Sequence, residues 1–413
     1  MRMDAVVAGV GMTRFGKHLE TGLKALGASA VKSALADAGI ALEEIEAAYV
    51  GNAVAGLLTG QECIRGQVIL RSIGLGKIPV VNVENACASA STALQQAAAM
   101  VTAGCHDVVL CLGVEKLYHV DKTKSFAAFS GAVDVEALAG ILAALRPAPA
   151  GEAKKPAAEG GGEGAPKRSM FMDIYAAAAR SHMQRYGTTR EQFAAIAAKN
   201  SQHGSLNPRA QFREALSIEE VLNAPMIADP LTRPMCSPIG DGAAAAVLVS
   251  PRKARELGIR RPVRIAASVL RSGWDHAIDE PGTVEVCARE AYEQAGVGPE
   301  DLNVIECHDA SAPAELMAYE SLGICAKGEG GKLVDAGDTW LSGRIPVNVS
   351  GGLLRKGHPV GATGIAQIVE LTEQLQGRAA PRQVDGAKVA LAHNGGGNIG
   401  TDAAAMCVTI LTV

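Results

Sequence analysis

The stretch VNVENACASASTALQQAAAM, Val81 to Met100, opens as an apolar, β-branched run and gives way at Glu84-Asn85 to small residues. The first part reads as a buried strand and the Ala-, Ser- and Gln-rich remainder as a helix. One cysteine, Cys87, falls where the strand turns into the helix. The chain returns through VTAGCHDVVLCLGVEK (101–116), whose continuous apolar run DVVLCLGV fits a strand covered on both faces.

The same order recurs later in the chain, with Val81 aligning to Val347. VNVSGGLLRKGHPVGATGIAQIVELTEQLQ (347–376) is followed by the apolar AKVALAHNGGG (387–397). A second pair matches as well: SALADAGIALEEIEAAYVGNA (33–53) and EAYEQAGVGPEDLNVIECHDA (290–310), with Gly39 on Gly296. Each is a helix ending at Ala-Gly, where glycine terminates it, then an acidic turn and a short strand. The two alignments differ in offset by a short loop. The expected fold class is therefore α/β, with two duplicated βαβ-rich halves. The first half takes residues 1–120 and 226–260, including SPIGDGAAAAVLVS (237–250); the second takes 261–413. Between them, 121–225 reads as a helical loop domain carrying a low-complexity insert, 146–167. Its helical stretches are 170–187 and the segment after Thr188-Thr189, either of which suits an N-cap.

The net charge of −4 and an aromatic content of 3% argue against nucleic acid and an anionic membrane as partners. Nine cysteines without a CxxC pair read as a reducing, cytoplasmic protein with neither a disulfide framework nor a zinc site. No apolar span is long enough to cross a membrane, and MRMDAVVAGVGMTRFGK reads as a first strand, not a signal.

A thiol at a helix N-terminus meets unpaired N–H groups and positive potential. Both lower a thiol pKa from about 8.5, and the same N–H groups stabilise an oxyanion. A core thiol filling a gap is the competing reading for Cys87. His358 occupies the corresponding turn of the second copy, so a two-fold relation would bring thiol and imidazole together as nucleophile and base. Two further strand ends carry His308-Asp309 and His393-Asn394, where α/β proteins place their sites.

Taken together, NVENACASAS, HDA, GGLLRKGHPVGATG, HNGGG and SPIGDGAAAA resemble the thiolase superfamily, in order and spacing across nearly the whole chain. The resemblance is strongest to the sterol-carrier-protein-type (lipid-transfer-protein-like) branch, without the sterol-carrier domain. It implies a five-layered αβαβα fold and a thiolase, an acyl-CoA:CoA C-acyltransferase of lipid metabolism. Cys87 would be the acyl-accepting nucleophile, His358 its base, and His308 a positioner of water or carbonyl. The N–H of Cys87 and the Gly396–Gly397 turn would form an oxyanion hole. Coenzyme A enters as a substrate, with no permanently bound cofactor and no metal. The loop domain would bind it and cover an acyl tunnel. A homodimer core is expected, and some relatives require a small zinc-ribbon/OB-fold partner subunit.

One departure stands out. The acid/base cysteine of the family is absent from both of its usual places, which hold Ala310 and His393 here. His393 or His308 is left as the base, and a bulky, branched or aromatic acyl group becomes conceivable. Competing readings are an acyl-CoA- or lipid-binding protein without turnover and a retro-aldolase relative; retention of Cys87 with His358 opposes both. Cys307 is expected to point into the core, as are Cys105, Cys111, Cys287 and Cys407. Arg355 and Lys356 are expected on a solvated loop face, a CoA phosphate being the alternative. Met170, Phe171, Met172 and Tyr175 either line the tunnel or pack the insertion.

Overall fold

The computed structural model describes residues 3–137, 140, 169–277 and 280–413; the insert expected at 146–167 lies outside the described residues. The main sheet is built from β1 (Ala5–Met12), β2 (Ala47–Gly51), β3 (Val80–Val83), β4 (Val108–Glu115), β5 (Gly242–Val249), β6 (Val263–Ser272), β7 (Val304–Glu306), β8 (Val389–Gly396) and β9 (Ala405–Thr412). Its order is β3-β2-β4-β5-β1-β6-β9-β8-β7. Read inward from either edge, one plan repeats. In the first half, β3 and β4 flank β2 in parallel, and β5 and β1 follow antiparallel. In the second, Val347 bridges Ile305 of β7 in parallel, β8 is parallel to β7, and β9 and β6 follow antiparallel. The copies meet where β1 pairs antiparallel with β6 over Ala5–Val7. Equivalent strands running antiparallel across one junction are what a local two-fold generates.

Seven helices matter to the site: α1 (Leu23–Ala38), α2 (Ser89–Thr102), α3 (Met170–Tyr186), α4 (Arg190–Ser205), α5 (Thr283–Ala295), α6 (Ala312–Ser321) and α7 (Thr363–Gln376). Strand residues alternate between two cores, as the pleat requires. On β4, Val109 and Cys111 face a core shared with α2 and α7, while Leu110 and Leu112 face the core under α1. On β6, a register irregularity opposite Ile410–Leu411 flips the faces: Val263 and Ile265 join the shared core, while Ala267 and Val269, beyond it, join residues of α5 and α6. The layers are thus helix, half-sheet, the α2–α7 pair, half-sheet, helix. Every residue from Thr363 to Leu375 is buried, as expected for a helix enclosed on all sides.

The central helices reach the strands because glycines let them. A Cβ on Gly51 of β2 would lie 2.8 Å from the backbone of Ala90, and one on Gly113 of β4 would lie 2.8 Å from the Ala362 Cα. The insertion is fixed from the other side. Thr189 caps α4, accepting from the Gln192 N–H. From α4, Asn200 donates to Asp309 at 2.8 Å, and Lys199 pairs with Glu315 and donates to the Val347 carbonyl at 2.9 Å. His203 is bonded through both nitrogens, to the Asn348 carbonyl and the Leu341 N–H.

Two readings need correction. β3 is an edge strand with Val81 and Asn82 exposed, not a buried one: its β-branched residues signalled strand, but among the described residues no strand pairs with its outer side. Cys105 is exposed in the turn after Gly104, whereas Cys111, Cys287, Cys307 and Cys407 are buried.

Gly51→Ala is expected to cost about 1–3 kcal/mol, because overpacking against backbone cannot relax. Gly22→Ala, where a Cβ would meet nothing within 4 Å, is expected to be near neutral. Thermal melts of the pair check this; equal melting temperatures would refute the close approach at Gly51.

Candidate active site

Cys87 sits in a 3₁₀ turn, Ala86–Ala88, just before α2. Ala86 adopts a left-handed φ of 47°. The turn is fixed by Ser89 Oγ, which accepts from the Asn85 N–H at 3.0 Å and donates to the Ala86 carbonyl at 2.6 Å. From the second half, Gly396 presses against this turn: a Cβ there would lie 2.1 Å from the Asn85 carbonyl oxygen. Two backbone N–H groups, of Gly397 and of Cys87 itself, point at the Cys87 sulfur. Of the two glycines singled out in the sequence, Gly397 brings the N–H, while Gly396 supplies the room. Burial, and after it the Glu115 carboxylate, push the thiol up to about 12 against the pull of those N–H groups. The expectation of a thiolate is therefore reversed. Helix-terminal potential acts here on a half-buried thiol at the cavity wall, and desolvation outweighs it.

Glu115, at the end of β4, is fully buried, and burial raises its pKa. It accepts from the Ala53 N–H at 3.1 Å and the Gly361 N–H at 3.0 Å, which fastens the His358 loop to the first half.

Hydrogen-bond partners fix where the imidazole protons sit. The Cys87 carbonyl can only accept, so the Asn394 atom 3.0 Å away is its NH₂ group. The other end of that amide, Oδ1, stands 2.6 Å from His308 Nδ1, which must donate. His308 therefore presents a bare Nε2. The His308 backbone N–H can only donate, so His393 Nδ1, 3.3 Å away, accepts. The neutral His393 ring then carries its proton on Nε2, which is buried without a partner. Thr363 Oγ1 donates to the Pro359 carbonyl at 3.2 Å and so accepts from His358 Nδ1 at 2.7 Å, leaving His358 Nε2 bare as well. Burial keeps all three rings neutral at physiological pH. It lowers His308 to about 4 and His393 to about 3, and it holds His358 well below the ordinary imidazole value.

The Cys87 sulfur and ring nitrogens of His308 and His358 lie within 4.8 Å of one another, the one such cluster among the described residues. Its composition is that of a zinc ligand set as much as of a nucleophile between two bases. The proton positions set what each ring offers the cavity. His393 is a donor in its resting tautomer. His308 offers a lone pair, so it orients a water by accepting from it but does not donate to a carbonyl.

The cluster lies on the wall of a cavity of about 740 Å³. His393, Phe171, Met172 and Tyr175 also line it; Met170 does not. Cys307 is excluded, its sulfur turned to the Asn348 amide in the core. Asp241, just before β5, accepts from the N–H groups of Leu117 and Tyr118 in the segment after β4. Arg355 and Lys356 are not solvated: Lys356 pairs with Glu306 at 2.9 Å and Arg355 is 6% exposed. Asn394 and Glu115 were not singled out as functional residues, since their part depends on contacts between the halves.

Alkylation of Cys87 by iodoacetamide is expected to keep accelerating from pH 7 to beyond pH 9, because the thiolate fraction rises toward a pKa of about 12. Peptide mapping separates it from the exposed Cys63 and Cys105. A plateau near pH 7 would contradict the raised thiol.

Residues 5–252 match the family model for the thiolase N-terminal domain, and residues 280–410 match the thiolase C-terminal domain-like model. The chain is 39% identical to an acetyl-CoA acetyltransferase of Methanothermobacter thermautotrophicus, over 97% of this chain and 98% of that one. It is 36% identical to the benzoylsuccinyl-CoA thiolase subunit BbsB of Thauera aromatica, over 95% and 94%. Identity to sterol carrier protein 2 of Bos taurus is 37%, over 95% of this chain and 70% of the relative. Among solved structures, an Ltp2–ChsH2(DUF35) aldolase superposes with a TM-score of 0.78 at 24% identity, over 99% and 98%. The chain belongs to the thiolase superfamily, in its sterol-carrier-protein-2 branch, and is a thiolase-type acyltransferase.

Proposed function

We propose that the chain cleaves or forms a 3-oxoacyl-CoA through an acyl-Cys87 intermediate, with coenzyme A as co-substrate. The observation that carries this reading is the thiol held between two bare imidazole nitrogens on the wall of a large cavity. In cleavage, Cys87 passes its proton to His358 Nε2 as sulfur attacks the C3 carbonyl. The N–H groups of Cys87 and Gly397 take the oxyanion. Collapse breaks the C2–C3 bond and leaves the acyl group on sulfur. The proton that C2 gains is the one the thiol lost, relayed from His358 to His308, whose rings stand edge to face at 5.2 Å. CoA–SH then attacks the acyl-cysteine, and its proton returns to Cys87. His393 Nε2–H donates to the thioester oxygen while C2 carries negative charge. His308 thus serves where the family's acid/base cysteine is missing.

The acyl group we favour is bulky or aromatic. In a chain with six phenylalanines, four line this cavity: Phe126, Phe129, Phe171 and Phe212. Phe129 and Phe171 meet edge to face, ring centres 6.4 Å apart, the geometry into which a third ring packs. The relative from Thauera aromatica is named for an aromatic acyl-CoA. That relative is also named as a subunit, and the superposed aldolase pairs with a second protein; both support a partner subunit here. The exposed edge strand β3 supports a homodimer.

Intact-mass measurement after incubation with a panel of acyl-CoAs is expected to show an acyl adduct that Cys87→Ala abolishes. No adduct, with or without a partner subunit, alongside tight acyl-CoA binding would point to a binding protein instead. Turnover of acetoacetyl-CoA is expected to be slow beside that of an aromatic 3-oxoacyl-CoA; the reverse order would favour acetyl transfer, as in the archaeal relative.

Hydrogen–deuterium exchange at the α-carbon of a bound acyl-CoA separates the histidines. His308→Gln should retain Cys87 acylation yet slow this exchange by about 10²-fold or more. If His393→Gln alone abolishes exchange, the two roles are reversed.

A further inference from the structure

Arg355 lies on the His358 loop and lines the same cavity as Cys87. Its side chain is 6% exposed. Burying a guanidinium is costly unless a carboxylate and a full set of acceptors accompany it. Lys356 beside it has such a partner in Glu306. Among the described residues Arg355 has no carboxylate within ion-pair distance. One Nη donates to the backbone carbonyl of Glu214, and Nε is buried without an acceptor. The guanidinium lies 5.4 Å from the Phe212 ring centre, a contact that supports the cation but does not neutralise it. Gln211, on the same wall, has its buried Oε1 without a donor. Both side chains line the cavity, and each carries a buried polar atom for which the protein supplies no partner.

We propose that Arg355 is the anion-recognising group of this cavity, gripping two oxygens of a carboxylate or phosphate on the bound thioester. The planar fork of a guanidinium matches a pair of anionic oxygens, and an enclosed site strengthens such a contact. The assignment rests on the acyl-CoA reading above. The anion has two sources with one chemistry: a carboxylate carried by the acyl group, or a phosphate of CoA.

The test uses inert thioethers of equal length, S-butyl-CoA and S-(3-carboxypropyl)-CoA, together with CoA, titrated against the full chain and Arg355→Gln by calorimetry. An affinity loss of about tenfold or more confined to the carboxylated ligand identifies the acyl carboxylate. An equal loss for all three identifies the phosphate. Unchanged affinities in a variant that melts like the wild type overturn the proposal. Should Arg355→Gln not fold, the wild type decides alone. It should prefer carboxypropyl-CoA to butyl-CoA, or phosphopantetheine to pantetheine, by about tenfold; parity in both comparisons overturns the proposal. If CoA and both thioethers fail to bind the wild type, it is the acyl-CoA reading that fails, a result distinct from either.

Discussion

The hydrogen bond from Asn394 to the Cys87 carbonyl sets the chemistry of the whole site. A peptide oxygen has no proton to give, so it fixes which end of the amide faces it. The amide then dictates the His308 tautomer, and through the His308 N–H the same strand end fixes His393. Neutral imidazoles are chemically ambiguous, each being an acid at one nitrogen and a base at the other. Here backbone groups resolve the ambiguity, and backbone groups do not titrate. Two bare nitrogens and one N–H therefore face a single cavity, and none of the three rings brings a charge of its own to it.

The duplicated fold makes this arrangement reciprocal. Near the end of β4, Glu115 grips the Gly361 N–H in the loop before α7. Near the end of β8, Asn394 grips the carbonyl in the turn before α2. Each half thus holds the other half's catalytic loop, and neither copy contains a working site alone. Strand glycines allow the central helices to start directly over the strands, which brings both turns within reach. The insertion adds a third hold: α4 bonds Asp309, and Asp309 accepts from the Leu353 N–H at 2.6 Å on the way to His358.

Much of this was legible in the sequence, and for a physical reason. Periodicity, Ala-Gly helix ends and the repeated Val-Asn-Val are local signals, and they survive duplication; they located the helices, the repeat and the turns bearing Cys87 and His358. What was not legible depends on the distance between segments far apart in the chain. The edge position of β3 is set by sheet order, which a strand does not encode in its own residues. The protonated Cys87 thiol reflects burial by the opposite half. Arg355 and Lys356 sit in a glycine-rich loop, which reads as surface, yet α4 and Glu306 enclose them. Asn394 stands beside His393 at a strand end, but its part is not legible there, because the carbonyl it serves is contributed by the first half.

Burial that keeps the imidazoles neutral also keeps the thiol protonated, so the two effects oppose formation of a thiolate–imidazolium pair. The pair gains support only when a carbonyl arrives. Its developing oxyanion takes the Cys87 and Gly397 N–H groups, which until then point at sulfur. The negative charge moves from sulfur to oxygen without leaving the donors that stabilise it, while the proton moves to a nitrogen already within reach. A nucleophile of this kind is weak toward reagents that offer no carbonyl and strong toward a thioester or ketone seated in the cavity. Under the proposed mechanism, the same enclosure also bears on His308 taking the place of a cysteine as the α-carbon base. Burial lowers the imidazoles and raises the thiol, which widens the gap a proton must cross, so the imidazoles take the proton only as charge develops on the bound carbonyl. The relevant quantity is the difference between the two groups, not the value of either.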